Sequence, residues 1–240
     1  MWRTRPTIVK LDRDFDDVVL ERIQNSAEQI IRDAYVYKQC KARWVAKIDS
    51  VDAPTCLLKW YTARSRRHAA KQLITKSRAA VHAIHTRHLI DAGLPVPRPL
   101  AYLEERVGPL RGRSCLVYEF ISGFLFGQTE ELYGVFTRNG DHDPVLRVVE
   151  QLREVFDLLD RLNLHHYDAH GSNFMFDQTG KLYLLDTESI RWYSRFLRKR
   201  NKMIAKQNLD RLVVGSIKNF SDFQSQSETL HTASKRNRAA

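Results

Sequence analysis

The hydrophobic pattern of this chain changes period several times, and each change marks an element. From Asp16 to Asp33 the apolar positions Val18, Val19, Ile23, Ile30 and Ile31 recur at helical spacing. Tyr35 to Gln39, Arg43 to Ile48 and Thr55 to Tyr61 then read as strands, the last two separated by the turn-forming run Asp49-Ser50-Val51-Asp52-Ala53-Pro54. Helical spacing returns from Arg66 to Ala92 and stops in the usual way, with Gly93 just past the end and Pro95, Pro97 and Pro99 beyond it. Leu100 to Glu104 and Ser114 to Phe120 form a strand pair around Gly108-Pro109-Leu110-Arg111-Gly112. Pro144 to Asn163 carries the broadest apolar stripe: Val145, Val148, Val149, Leu152, Val155, Phe156, Leu159 and Leu162. Phe174 to Asp177 and Lys181 to Leu185 are two short strands joined by Gln178-Thr179-Gly180.

Composition narrows the class. A length of 240 residues suits one domain or two small lobes sharing a cleft. The net charge of +11 calls for an anionic partner, whether nucleotide, nucleic acid or membrane surface. Cys40, Cys56 and Cys115 are odd in number and set in apolar runs, which suits buried thiols in a reducing compartment. The opening Met1-Trp2-Arg3-Thr4 lacks the apolar core of a signal peptide, and no run of about eighteen apolar residues occurs. The expected location is cytoplasmic, or peripheral on a membrane at most.

The chemistry concentrates in His165-His166-Tyr167-Asp168-Ala169-His170-Gly171-Ser172-Asn173 and the hairpin that follows. A hairpin brings the residue before its first strand beside the residue after its second, so Asn173 and Asp186 should meet at one end and could hold a hard cation through oxygen. Asp168, on the loop leading in, would lie close enough to accept or orient a proton from an attacking hydroxyl. An acid, a metal-binding amide and a strand-end acid in this order are the layout of a phosphoryl-transfer centre.

At these residues the chain resembles the protein-kinase-like sugar and antibiotic kinases, and more narrowly the bacterial lipopolysaccharide core kinases of the heptose and Kdo type. His166-x-Asp168-x-His170-x-x-Asn173, an apolar hairpin ending in Leu185-Asp186, Gly93-Leu94-Pro95-Val96-Pro97, and Asn208-Leu209-Asp210-Arg211-Leu212 carry the likeness. The resemblance implies an α+β, two-lobed protein-kinase-like fold with an antiparallel N-lobe sheet and a small, mostly helical C-lobe. An N-terminal extension and helix would occupy residues 1–33, the N-lobe 34–120 and the C-lobe with its catalytic loop 121–220. Residues 221–240, rich in Ser, Gln, Lys and Arg, are expected to form a disordered tail.

The same resemblance implies ATP and Mg²⁺ as cofactors and a lipopolysaccharide core sugar as acceptor. Asp168 would be catalytic, Asn173 and Asp186 would hold the metal, and Lys59, ending the third strand of the lobe, would contact the α/β-phosphates. The backbone of Glu119 and Ile121 would take the adenine edge. Lys47 competes with Lys59, but if Lys47 ended the third strand, Thr55 to Tyr61 would be a strand with no place in the lobe. His166 is expected to pack beneath the catalytic loop, and His170 to brace Asp168 or Asp186 or simply to be a satisfied loop histidine.

Three departures stand out. No glycine precedes Gly93, so the phosphate-covering loop near Cys40-Lys41-Ala42 is not glycine-rich. The helix after Lys59 has no acid to pair with it, and His82 stands where the family pattern would put Glu. Thr187-Glu188 replaces the Phe-Gly that follows the metal-binding Asp in protein kinases, and the stretch after it is expected to be too short for a full activation segment and helical lobe.

Two basic runs remain. Arg64, Arg66, Arg67, Lys71, Lys76, Arg78 and Arg87 read either as a solvated face or as a docking surface for an anionic bilayer or phosphorylated lipid. Arg191 to Lys206, basic and aromatic, reads as an amphipathic helix at a membrane interface or closing the core. No nucleic-acid motif accompanies either run, so no nucleic acid is expected as partner, whereas the inner face of the inner membrane is. Two alternatives share the site: a catalytically weak nucleotide-binding scaffold, and a soluble small-molecule kinase of the aminoglycoside or choline type.

Overall fold

The computed structural model describes residues 4–33, 35–40, 43–49, 55–62, 76–107, 110–141, 143–192 and 198–238. The chain divides into two units, one of residues 1–93 with 97–121, the other of 94–96 with 122–240. The first unit is built on a six-stranded antiparallel sheet of β1 (Thr7–Lys10), β2 (Tyr35–Cys40), β3 (Arg43–Ile48), β4 (Cys56–Tyr61), β5 (Pro99–Val107) and β6 (Leu110–Glu119), in the order β1-β5-β6-β4-β3-β2. Helices α1 (Asp17–Asp33) and α2 (Arg78–Asp91) complete it.

Strand alternation sorts the side chains of this sheet onto two faces. Cys56, Leu58 and Trp60 join Leu103, Cys115 and Val117 in one core with Leu20, Ile23 and Ile30 of α1. Tyr61, Leu116 and Tyr118 form the other core with Ala79 and Ala83 of α2. Burial pushes the Cys56 thiol up to about 12 and the Cys115 thiol higher still, so neither is a nucleophile at neutral pH.

The N-terminal extension is part of the sheet unit: β1 pairs with β5, Thr7 opposite Glu104, and α1 fills a core that the sheet would otherwise expose. Of the helix expected from Arg66 to Ala92, the described part is Arg78–Asp91, capped by Ser77, whose Oγ accepts from the Ala80 amide at 3.1 Å. Residues 63–75, with Arg64, Arg66, Arg67 and Lys71, lie outside the described residues, as do Lys41-Ala42, the centre of the 49–54 turn and Gly108-Pro109.

The second unit contains α3 (Thr129–Arg138), α4 (Pro144–Arg161) and α5 (Arg198–Arg238). A small sheet orders β10 (Leu182–Leu184), β9 (Phe174–Asp177) and β7 (Gly123–Leu125), and β8 (Leu164–His166) pairs with β11 (Ile190–Trp192). Asp143 caps α4, its Oδ1 accepting from the Leu146 amide at 3.0 Å, with Pro144 in the first turn. The α4 stripe is buried at Val148, Val149, Leu152, Val155, Phe156 and Leu159, and Phe156 stacks on Phe174 at 6.2 Å between ring centres. Gly123 admits the close approach of β7 to β9, since a Cβ there would overlap the Phe176 carbonyl.

The basic stretch after Asp186 does not start as a helix. Ile190 is fully buried opposite His166, and Ile190–Trp192 is a strand; residues 193–197 lie outside the described residues, and the helix is described from Arg198. The stretch expected to be a disordered tail is helical as far as Arg238; it contains no Pro or Gly to end the helix that enters it. Among the described residues no helix is long and apolar enough to cross a membrane.

Candidate active site

The loop that carries Asp168 is anchored from below. Leu164, His165 and His166 are all buried in β8, and the His166 ring stacks on Phe174 at 6.4 Å. His166 Nδ1 accepts from the Asp168 amide at 3.2 Å, which assigns the ring proton to Nε2. Burial lowers the His166 pKa to about 4 against the opposing pull of Asp186 and Asp168, so the ring is neutral at pH 7. A neutral acceptor here orients the loop without adding charge beside the two acids.

Asp168 itself is open, its side chain 63% exposed, with Oδ2 at 3.5 Å from His170 Nε2. Its backbone is held by Asn173, whose Nδ2 donates to the Asp168 carbonyl at 2.6 Å. That bond fixes the amide orientation and turns Oδ1 away from the loop. His170 Nδ1 lies 2.8 Å from Ser172 Oγ and Nε2 lies 3.3 Å from Asn173 Nδ2, so this imidazole sits between Asp168 and Asn173.

The hairpin then does what its sequence implies. Phe174 pairs with Leu184, and the Leu185 amide donates to the Asn173 carbonyl at 2.8 Å, which brings Asn173 and Asp186 to the same end. At the other end Asp177 Oδ1 accepts from the amides of Thr179 and Lys181 at 2.8 and 3.0 Å, and Gly180 supplies the positive φ of 79° the turn needs. Gln151, from α4, clamps that turn: its Nε2 donates to the Gly180 carbonyl at 2.7 Å and its Oε1 accepts from the Leu182 amide at 2.8 Å. The loop after Asp186 is tied back through the Tyr167 amide, which donates to the Ser189 carbonyl at 3.0 Å.

Asn173 Oδ1 and the Asp186 carboxylate are hard oxygen donors on one edge, which suits a small divalent cation that completes its shell with phosphate and water. Among the described residues no group of three or more His, Cys, Asp or Glu could hold a metal ion.

In the first unit, Lys59 is 7% exposed in the middle of β4, opposite Val45 and Leu116. Alternation puts it on the face that α2 covers, with Tyr61. His82, standing where the family pattern has Glu, has partners that sequence reasoning missed: the Tyr61 hydroxyl is 2.7 Å from Nδ1 and the Tyr118 hydroxyl 3.0 Å from each ring nitrogen. Their signal was faint, a tyrosine two residues after the lysine and another just before Glu119. Lys47 Nζ lies 2.9 Å from Asp49 Oδ1, which raises its pKa, and 4.8 Å over the Phe120 ring. The Glu119 amide donates to the Arg98 carbonyl at 3.0 Å, so an adenine contact at Glu119 would fall to its carbonyl; Ile121 is the last residue of the unit.

A sheet unit with a buried strand lysine, followed by a helical unit with an Asp-x-His-x-x-Asn loop and a hairpin-end Asp, defines a protein-kinase-like phosphotransferase. A solved structure titled "WaaP in complex with acyl carrier protein" has the same fold, with a TM-score of 0.52 at 17% identity over 93% of this chain and 99% of that one. No curated protein matches the sequence. The model of the lipopolysaccharide kinase (Kdo/WaaP) family matches residues 47–233, and the chain belongs to that family. It is therefore a kinase that acts on a sugar hydroxyl.

Proposed function

We propose that the chain phosphorylates a hydroxyl of a heptose or Kdo sugar in the lipopolysaccharide inner core, with ATP and Mg²⁺. The observation that supports this best is the meeting of Asn173 and Asp186 at one end of the hairpin, with the Asn173 amide bonded to the backbone of Asp168. Asp168, open to solvent, orients the acceptor hydroxyl and takes its proton as the oxygen–phosphorus bond forms and the bond to the leaving diphosphate breaks. Asn173 Oδ1 and Asp186 hold Mg²⁺, which when bound neutralises charge on the phosphates. Lys59 holds the α/β-phosphates, and the Glu119 carbonyl and Ile121 backbone hold the adenine edge. Positioning and electrostatics supply most of the catalysis, as phosphoryl transfer needs little covalent chemistry from the protein.

A lipid-borne acceptor places the chain at the inner face of the inner membrane, and the charge of +11 suits that anionic surface. The test is transfer of labelled phosphate from ATP to extracted lipopolysaccharide with Mg²⁺, comparing the wild type with Asp168→Ala and Asp186→Ala. Transfer is expected in the wild type and a loss of about 10²–10⁴-fold in Asp168→Ala with folding intact. Retained transfer in Asp168→Ala would remove that residue from the mechanism. Transfer to a soluble aminoglycoside or choline, with none to lipopolysaccharide, would overturn the acceptor. Core-truncated acceptors ending in Kdo or in heptose separate the two sugars.

A further inference from the structure

Helix α5 carries large apolar side chains on two sides between Met203 and Phe223. One carries Leu212 and Phe220, 6% and 2% exposed, and turns Phe220 and Phe223 toward Tyr133, with ring centres at 6.5 and 5.4 Å. The other carries Met203, Val214 and Ile217, which are 56%, 64% and 50% exposed. At about 100° per residue these three fall within about 60° of one another on the helix. Along this outer side the three exposed apolar side chains alternate with Gln207, Asp210 and Ser221, which are exposed as well. Exposed Lys206 borders the stripe on one edge, and exposed Arg211 and Lys218 border it on the other. Asp210 lies within it.

We propose that this outer stripe is the surface by which the chain rests on an anionic bilayer. Met203, Val214 and Ile217 would reach the boundary of headgroups and acyl chains, while Lys206, Arg211 and Lys218 extend along it to lipid phosphates. Asp210 keeps the contact at headgroup depth, since a carboxylate cannot follow the apolar side chains further in. The bilayer is the occupant because basic residues edge the apolar ones and the chain carries an excess of positive charge. The stripe also has a use: α5 packs against β8, the strand that leads into the Asp168 loop, so contact through α5 brings a membrane-borne acceptor to the unit that holds the catalytic acid. The inference rests on the reading of the acceptor as lipid-borne.

The test is flotation of the full chain with vesicles of phosphatidylcholine alone and of phosphatidylcholine with phosphatidylglycerol. One variant combines Lys206→Glu, Arg211→Glu and Lys218→Glu, and another Met203→Ser, Val214→Ser and Ile217→Ser. All six positions are exposed, so both variants should fold, as their melting profiles will check, and Val214→Ser alone serves if the second does not. The wild type is expected on the anionic vesicles only. Each basic residue at such a surface contributes roughly fivefold, so the charge variant should lose about 100-fold or more. The serine variant should lose the part of the binding that survives added salt. Wild-type binding to both variants' level, equal binding to neutral vesicles, or stripe-dependent capture of an acidic carrier protein with no vesicle binding would each overturn the proposal. Transfer to extracted lipopolysaccharide is measured separately: its absence with stripe-dependent flotation sinks the kinase reading and leaves the membrane surface standing.

Discussion

Replacing Gln151 by Leu should loosen the hairpin that carries both ends of the metal-binding pair. Gln151 is 9% exposed and spends both halves of its amide on the turn, at 2.7 Å to the Gly180 carbonyl and 2.8 Å from the Leu182 amide. Leucine fills the space but leaves a buried carbonyl and a buried amide without that partner. Each such group costs about 1–3 kcal/mol, partly offset by the added apolar burial, so a net loss of about 3 kcal/mol is expected. Gln151→Glu separates hydrogen bonding from packing, because it keeps the acceptor for Leu182 and loses the donor to Gly180. The introduced carboxyl can restore that donor only when protonated, so its folded pKa is raised above the unfolded value. Its stability relative to wild type is therefore best below about pH 4 and declines as pH rises through the folded pKa. Urea unfolding with hydrogen exchange at the Leu182 amide reads both effects. A loss under about 1 kcal/mol in Gln151→Leu, or a pH-independent loss in Gln151→Glu, would refute the clamp.

Other outcomes follow from the same geometry. His166 is neutral in the folded chain with a pKa lowered to about 4, whereas the unfolded chain takes its proton near 6.5. Its contribution is fully present above about pH 6.5 and is lost as pH falls toward about 4, roughly 3 kcal/mol in all. His166→Asn, which keeps an acceptor for the Asp168 amide, should flatten that part of the stability profile; an unchanged slope would exclude His166 as its source. Tyr61→Phe removes the hydroxyl 2.7 Å from His82 Nδ1 and should lower the stability of the sheet unit by about 1 kcal/mol, read by thermal unfolding. It should also weaken nucleotide binding if α2 helps to place Lys59, and calorimetry with a non-hydrolysable ATP analogue checks that.

Much of the site was legible because its spacing is local. The period of two in Phe174 to Asp177 and Lys181 to Leu185, interrupted by Gly180, sets the hairpin, and the hairpin sets the neighbours Asn173 and Asp186. The apolar stripe of α4 likewise requires no distant partner to be recognised as a helix. The strands β2, β3 and β4 follow from turn chemistry and β-branched or aromatic content in the same way.

What the tertiary structure alone decided are choices among distant partners. Thr7 meets Glu104 across nearly a hundred residues, so a four-residue strand with no periodic signal becomes the sheet edge. Ile190 is a strand residue because His166 is there to pair with it; the same basic and aromatic letters fit a helix over so short a window. Gln151 is an ordinary helix residue by sequence, and His82 stands out only by its place in the family pattern; packing alone turns one toward Gly180 and the other toward two tyrosines. Even α5 is divided this way. The Ser, Gln, Lys and Arg content of its far end reads as a tail, yet the helix runs to Arg238, and the burial of Leu212 and Phe220 determines that Met203, Val214 and Ile217 face outward. Periodicity acts within a turn or two of chain, whereas burial depends on which surfaces the whole fold brings together.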